Sequence, residues 1–210
     1  VVKSINSNTT RLMLWEIEQI PEYRQVINQC LDQLESCVID IAGRLRRRMV
    51  RMFVSSPGSV TPAHFDVENN LILQIRGTKT LTIGKYATAS DERHAIEHWW
   101  DTRCSQNLET LPPELVSYEL KPGMGAYMPS LFPHWTLNGD EPSVTLSMFF
   151  RTRASERYEA VQAINARLRR IGLSPKPPGQ SAPSDRAKVA VMQAASPVMR
   201  KLHRLRSATS

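Results

Sequence analysis

A mainly β fold, a sandwich or barrel of short strands with helices before and after it, is what three features of the sequence predict. Short runs rich in β-branched and apolar residues crowd the middle of the chain. Turns bearing Gly and Pro separate those runs, and a 3.6-residue apolar period appears only on either side of them.

Ahead of the strands, Ile27, Cys30, Leu31, Leu34, Val38 and Ile41 recur at helical spacing. Pro21 suits a first helical turn and Gly43 the position just past the end, so this stretch reads as an amphipathic helix covering an apolar surface. The basic run Arg44 to Arg51 continues into Met52, Phe53 and Val54 and reads as a solvated helix end leading to a strand, not as a nucleic-acid contact. After the turn Ser55-Ser56-Pro57-Gly58, the runs Leu71 to Ile75 and Thr80 to Ile83, broken at Arg76-Gly77, read as paired strands. Residues 85–114 are polar, contain Trp99-Trp100 and end in Pro112-Pro113, the mark of an insertion with some helix. Strand texture returns at Val116 to Leu120, Gly125 to Met128 and Val144 to Phe150, with turns at Pro122-Gly123 and Asn138-Gly139-Asp140. The helical period resumes through Tyr158, Val161, Ile164 and Leu168 and is closed by Gly172. Ser174 to Ser184 has linker composition, and Asp185 to Arg206 reads as a second basic helix if something orders it. The expected plan is a domain of residues 1–154 with its core motifs in 48–153 and the insertion at 85–114. A basic helical extension, 155–210, carries the Pro-rich linker 174–184.

With 210 residues, 41% apolar and 22% charged, the composition is ordinarily globular and allows one core plus an appendage. No apolar run long enough for a membrane span and no signal-peptide pattern is visible, which leads to the expectation of a soluble, cytoplasmic protein with no membrane partner. The first residue is Val1 and not Met, as in a processed or cut chain. Cys30, Cys37 and Cys104 are odd in number and form no CxxC pair, so neither a disulfide framework nor a thiolate zinc site is expected. The net charge of +7 is unevenly placed: residues 151–210 hold 13 Lys and Arg against 3 Asp and Glu. That tail lacks interleaved aromatics and any nucleic-acid motif, so it reads as a solubilising or dimer-forming appendage.

The chemistry begins at His64-Phe65-Asp66. In a strand, residues i and i+2 point to one face, which lets one imidazole and one carboxylate share an ion. His134, in Pro129-Ser130-Leu131-Phe132-Pro133-His134, starts or ends another predicted strand and offers the third donor. Two histidines and a carboxylate on one face of a metal leave positions open opposite them, the arrangement non-haem Fe(II) oxygenases use. An HxD triplet alone is common by chance, and its surroundings decide. His94 and His98, at i and i+4 in the insertion, and His203 in the tail read as solvated.

The segments Thr61-Pro62-Ala63-His64-Phe65-Asp66, Asn69-Asn70 and Gln74-Ile75-Arg76-Gly77-Thr78-Lys79 resemble the first cupin motif of the jumonji (JmjC) oxygenases, especially the asparaginyl-hydroxylase branch. Lys121-Pro122-Gly123 through Tyr127-Met128-Pro129, followed by His134, resembles that family's closing motif. The resemblance covers about residues 48–153. It implies a double-stranded β-helix with Fe(II) held by His64, Asp66 and His134 as the catalytic triad, and 2-oxoglutarate as cosubstrate. It further implies that Lys79 and Thr61, on adjacent strands, grip the far carboxylate of the cosubstrate, with Asn70 near its keto-acid end. Bland roles compete: a turn threonine, a strand-face amide, a solvated lysine. The sequence departs from the family pattern at Met124, at Phe132-Pro133 and at Phe149, where relatives often carry a polar residue, and an upstream tyrosine used by some relatives has no counterpart.

Three functions follow as expectations. The first is hydroxylation, or demethylation through hydroxylation, of a protein, peptide or small-molecule substrate with release of succinate and CO2. The second is a metal-binding cupin without turnover, a sensor or interaction protein working through its basic tail. The third is a cupin enzyme without 2-oxoglutarate, which would usually carry more histidines at its first motif than His64 alone. By analogy with related oxygenases, residues 155–171 are the candidate contact of a homodimer.

Overall fold

The computed structural model describes residues 5, 6, 10–102, 108 and 111–207. In chain order its elements are β1 (Arg11–Leu14), α1 (Pro21–Ala42), β2 (Arg46–Ser55), β3 (Val60–His64), β4 (Asn69–Arg76), β5 (Lys79–Lys85), α2 (Ala89–Thr102), β6 (Glu114–Leu120), β7 (Gly125–Met128), β8 (His134–Asn138), β9 (Ser143–Arg151), α3 (Arg153–Arg170) and α4 (Ala182–Ser207). The strands form two antiparallel sheets, ordered β1-β2-β9-β4-β7 and β3-β8-β5-β6. From β3 onward the chain crosses between the sheets at nearly every turn, which makes the architecture a double-stranded β-helix flanked by helices.

Two sequence expectations need correcting here. Leu71 to Ile75 and Thr80 to Ile83 are strands but not partners: β4 pairs with β7 and β9, whereas β5 pairs with β6 and β8. Gly77 makes the difference, since its φ of +68° turns the chain out of one sheet and into the other. The basic run is not a helix end, because Gly43 at φ +82° stops α1 and β2 already begins at Arg46.

Period-two alternation gives the five-stranded sheet two different faces. Outward lie Val50, Leu71, Met148 and Phe150, forming one apolar cluster with Ile27, Leu31 and Val38 of α1. Cys30 and Leu34 pack against that cluster half-buried. Pro21 at the start of α1 and Glu22 in its first turn fit a helix N-terminus. Inward, Ile72 joins Leu81, Leu120 and Met128 in a smaller cluster between the sheets. Next to it lies a polar knot. The Gln74 amide donates to the Arg76 and Gly77 carbonyls and to Ser143 Oγ, and its oxygen accepts from Thr145.

The chain divides into two compact units at Arg153 and Ala154. In the second unit the Pro-rich stretch is tied down, not free. Asn165 Nδ2 and Lys188 Nζ donate to the Lys176 carbonyl, and the Gly179 amide donates to Asp185. The helix after it opens at Ala182, three residues before the expected start. Among the described residues, no helix is long and apolar enough to cross a membrane.

Candidate metal centre

His64 closes β3 and His134 opens β8, and the two face each other as register partners with ring centres 4.1 Å apart. Asp66 does not lie on β3. The strand ends at His64 after a register shift, so strand alternation is not what aligns the two side chains, contrary to the sequence reading. Phe65, 1% exposed, is driven into the interior and the chain bends just after Asp66, at Val67 and Glu68. The Leu131 amide, from the turn ahead of β8, then donates to the Asp66 carbonyl at 2.7 Å. Leu131 adopts φ +69° to do so, a conformation uncommon for a residue with a side chain.

One ligand atom from each of His64, Asp66 and His134 falls within 4.8 Å of the others. His134 Nε2 stands 3.6 Å from an Asp66 oxygen, close enough for attraction and too far for a hydrogen bond. Both imidazoles are oriented alike. His64 Nδ1 lies 2.8 Å from the Pro62 carbonyl and His134 Nδ1 lies 2.9 Å from that of Phe132. A carbonyl only accepts, so each Nδ1 carries the proton and each Nε2 lone pair is left for an ion. Burial, then the nearby His64, pushes the His134 imidazole down to about 3, which keeps it neutral and ligand-ready. Burial also pushes the Asp66 carboxyl above the usual carboxylate range, while His64 pulls it down, Glu68 pushes it up and Arg51 pulls it down. A divalent cation is the charge this donor set lacks, and the residues therefore fit one.

The triad opens onto a cavity of about 470 Å³ between the sheets. The three residues expected to hold a cosubstrate all line it. Thr61 and Lys79 are not on adjacent strands, however: β8 lies between them, with Thr61 opposite Thr136 and Lys79 opposite Asn138. Asn70 pairs across to Phe149, is 3% exposed, and has an amide oxygen with no hydrogen-bond partner. Lys79 is 6% exposed, and burial, with Arg11 adding to it, pushes its ammonium down to about 8.

Other cavity residues escaped the sequence reading. Arg11, Met13 and Trp15 line the cavity from β1 and its end, and their i, i+2, i+4 spacing is the strand signal that marks them. Arg51 lies with its guanidinium carbon 4.0 Å from the Trp15 ring centre and 4.4 Å from that of Phe149. The apolar Phe149 thus serves as a platform for a cation. Arg151 is engaged by Glu68 at 2.9 Å. Trp99 lines the cavity from α2 and meets Trp100 edge to face at 4.7 Å, while His94 and His98 are exposed, as expected. Cys104 and the side chain of His203 fall outside the described residues.

A family model described as the JmjC domain matches residues 23–158, more than half of the chain. The chain belongs to the JmjC domain family. Solved structures similar to this JmjC protein include the ribosomal oxygenase YcfD of Escherichia coli in complex with cobalt and 2-oxoglutarate, at 19% identity and TM-score 0.46, covering 88% of this chain and 46% of that one. Another is an oxalate decarboxylase of Bacillus subtilis with Mn(II) centres, at 16% identity and TM-score 0.36, covering 50% of this chain and 22% of that one. A third is the SPY1581 protein of Streptococcus pyogenes, of unknown function, at 14% identity and TM-score 0.34, covering 52% and 69%. This JmjC chain therefore spans less than half the length of YcfD and of the decarboxylase. Likenesses this distant carry no functional argument. No curated protein matches the chain.

Proposed function

We propose that this JmjC protein is an Fe(II)- and 2-oxoglutarate-dependent oxygenase that hydroxylates a C–H bond, or demethylates by hydroxylating an N-methyl carbon. The observation that carries the reading is the coincidence, in one cavity, of a His-Asp-His donor set with a buried lysine that no acid of the described residues pairs with. His64 and His134, through Nε2, and the Asp66 carboxylate would hold the iron. Bound there with 2-oxoglutarate, iron supplies the oxidation: one dioxygen is divided between the substrate, whose C–H becomes C–OH, and 2-oxoglutarate, which leaves as succinate and CO2.

The protein's own part is placement and charge. His64 lies three residues beyond Thr61 along β3, roughly 10 Å of strand at about 3.3 Å per residue. A short diacid is suited to such a span, with its far carboxylate on Lys79 and Thr61. Asn70, with its unpartnered oxygen, stands by Phe149 near the triad and would meet the keto-acid end. Phe65 and Phe149 exclude water around the ligands, and Trp99 supplies an aromatic wall for the substrate.

Anaerobic titration of the purified protein with Fe(II) and 2-oxoglutarate tests this through the weak visible charge-transfer band of the chelate. The band should vanish in His64→Ala and weaken in Lys79→Ala. Iron binding with no band would leave a metal-binding cupin without 2-oxoglutarate chemistry in its place.

A further inference from the structure

We propose that Arg11 is a second cationic ligand for the far carboxylate of the cosubstrate and, with Lys79, determines the preference of the site for a dicarboxylate. The inference rests on the oxygenase reading and adds to it a residue from outside the two cupin motifs.

Arg11 begins β1, opposite Ser55 at the edge of the five-stranded sheet. Its side chain reaches the other sheet, where Nη1 donates to Thr61 Oγ1 at 3.2 Å, and it lines the cavity together with Thr61 and Lys79. Two like charges thereby line one cavity, close enough that Arg11 weighs on the protonation of Lys79. Solvent reaches the exposed Arg11, but no carboxylate of the described residues offsets its charge beside the buried Lys79. The acids lining the cavity are Asp66, which belongs to the triad, and Glu68, which Arg151 already engages. Neither Arg11 nor Lys79 forms an ion pair among the described residues. A buried cation beside a second cation, with no anion supplied by the described residues, is a receptor whose missing member is an anionic group of the ligand. A guanidinium adds what an ammonium lacks, a planar fork of donors that matches a carboxylate and keeps its charge at any physiological pH. Thr61, accepting from Arg11, holds that fork in place and keeps its own hydroxyl proton for the ligand.

The test compares two ligands on the Fe(II)-loaded protein without oxygen: 2-oxoglutarate, and 2-oxopentanoate, which keeps the keto-acid end and has a methyl group where the far carboxylate would be. Arg11→Ala should weaken 2-oxoglutarate by about tenfold or more, the size of one charge-assisted hydrogen bond. It should leave 2-oxopentanoate within about twofold, and Arg11→Lys should recover part of the loss. An equal loss for both ligands, or for neither, would overturn the assignment, the first because it shows a merely structural role. Circular dichroism of Arg11→Gln, which keeps a polar side chain without the charge, identifies loss of fold. Absence of a band with either ligand in the unmodified, iron-loaded protein would instead bring down the oxygenase reading, and this inference with it.

Discussion

The two faces of the five-stranded sheet are built from the same strands and serve opposite ends. Along β9, Met148 and Phe150 point outward under α1, while Thr145, Ser147 and Phe149 point inward and line the cavity. Along β4, Leu71 goes outward and Asn70 and Ile72 inward. The outer face is continuous hydrocarbon, where burial of each large side chain contributes about 1.5–3 kcal/mol. The inner face mixes amides, hydroxyls and cations, some without partners inside the described fold. The larger apolar cluster thus lies on one side of the sheet and the cavity with its donor set on the other, separated by the thickness of one backbone.

That separation can be attacked from both sides. Phe150→Ala, on the outer face, should destabilise the protein by about 3–5 kcal/mol, read as an early denaturation midpoint, with metal affinity of the folded fraction unchanged. A loss of metal affinity as large as the loss of stability would show that the faces are coupled. His134→Ala, on the inner side, should lower metal affinity by about 100-fold or more, beyond the usual effect of losing a mere supporting partner. Its midpoint should barely move. Gly77→Ala should destabilise by about 1–3 kcal/mol, because the residue sits at φ +68° and its new Cβ would lie 2.6 Å from the Pro142 carbonyl oxygen.

The pH dependence of 2-oxoglutarate binding sharpens the comparison further. Lys79 is held down to about 8, and only its charged form attracts a carboxylate. Affinity should therefore be level below that value and fall as pH rises through it, by up to about tenfold per pH unit. The fall should be absent in Lys79→Met, and a flat profile in the unmodified protein would remove Lys79 from the site. The smallest effect belongs to the surface. Arg48 pairs with Asp32 at 2.6 Å and Glu35 at 2.9 Å, yet Arg48→Ala should cost under about 1 kcal/mol in chemical denaturation, since solvent screens such pairs.

The sequence carried the fold class because alternation and turn residues are local, and α1 because its period is regular. It could not carry strand partnership. Leu71 to Ile75 and Thr80 to Ile83 look like a hairpin through Arg76-Gly77, and only the competition between two sheets separates them. In the site, His64, Asp66 and His134 were legible as a set because the motifs around them resemble those of the JmjC oxygenases, the HxD triplet alone being common by chance. How Asp66 reaches the others was not, since a bulge and a buried Phe65 replace simple alternation. Arg11 and Arg51 were illegible for another reason: an arginine in a strand is by default a solvated one, and only the approach of Thr61, Trp15 and Phe149 from distant segments makes these two anything else.

The bond from the Leu131 amide to the Asp66 carbonyl fastens together the two halves of the donor set, which arrive from segments 65 residues apart in the chain. It is made by main chain on both sides, so a change of either side chain leaves donor and acceptor in place, although the left-handed φ of Leu131 disfavours β-branched residues there. Only proline at 131 deletes the donor, and proline is also the residue least able to take a left-handed φ. The bond itself is thus indifferent to most side-chain changes and exposed to one.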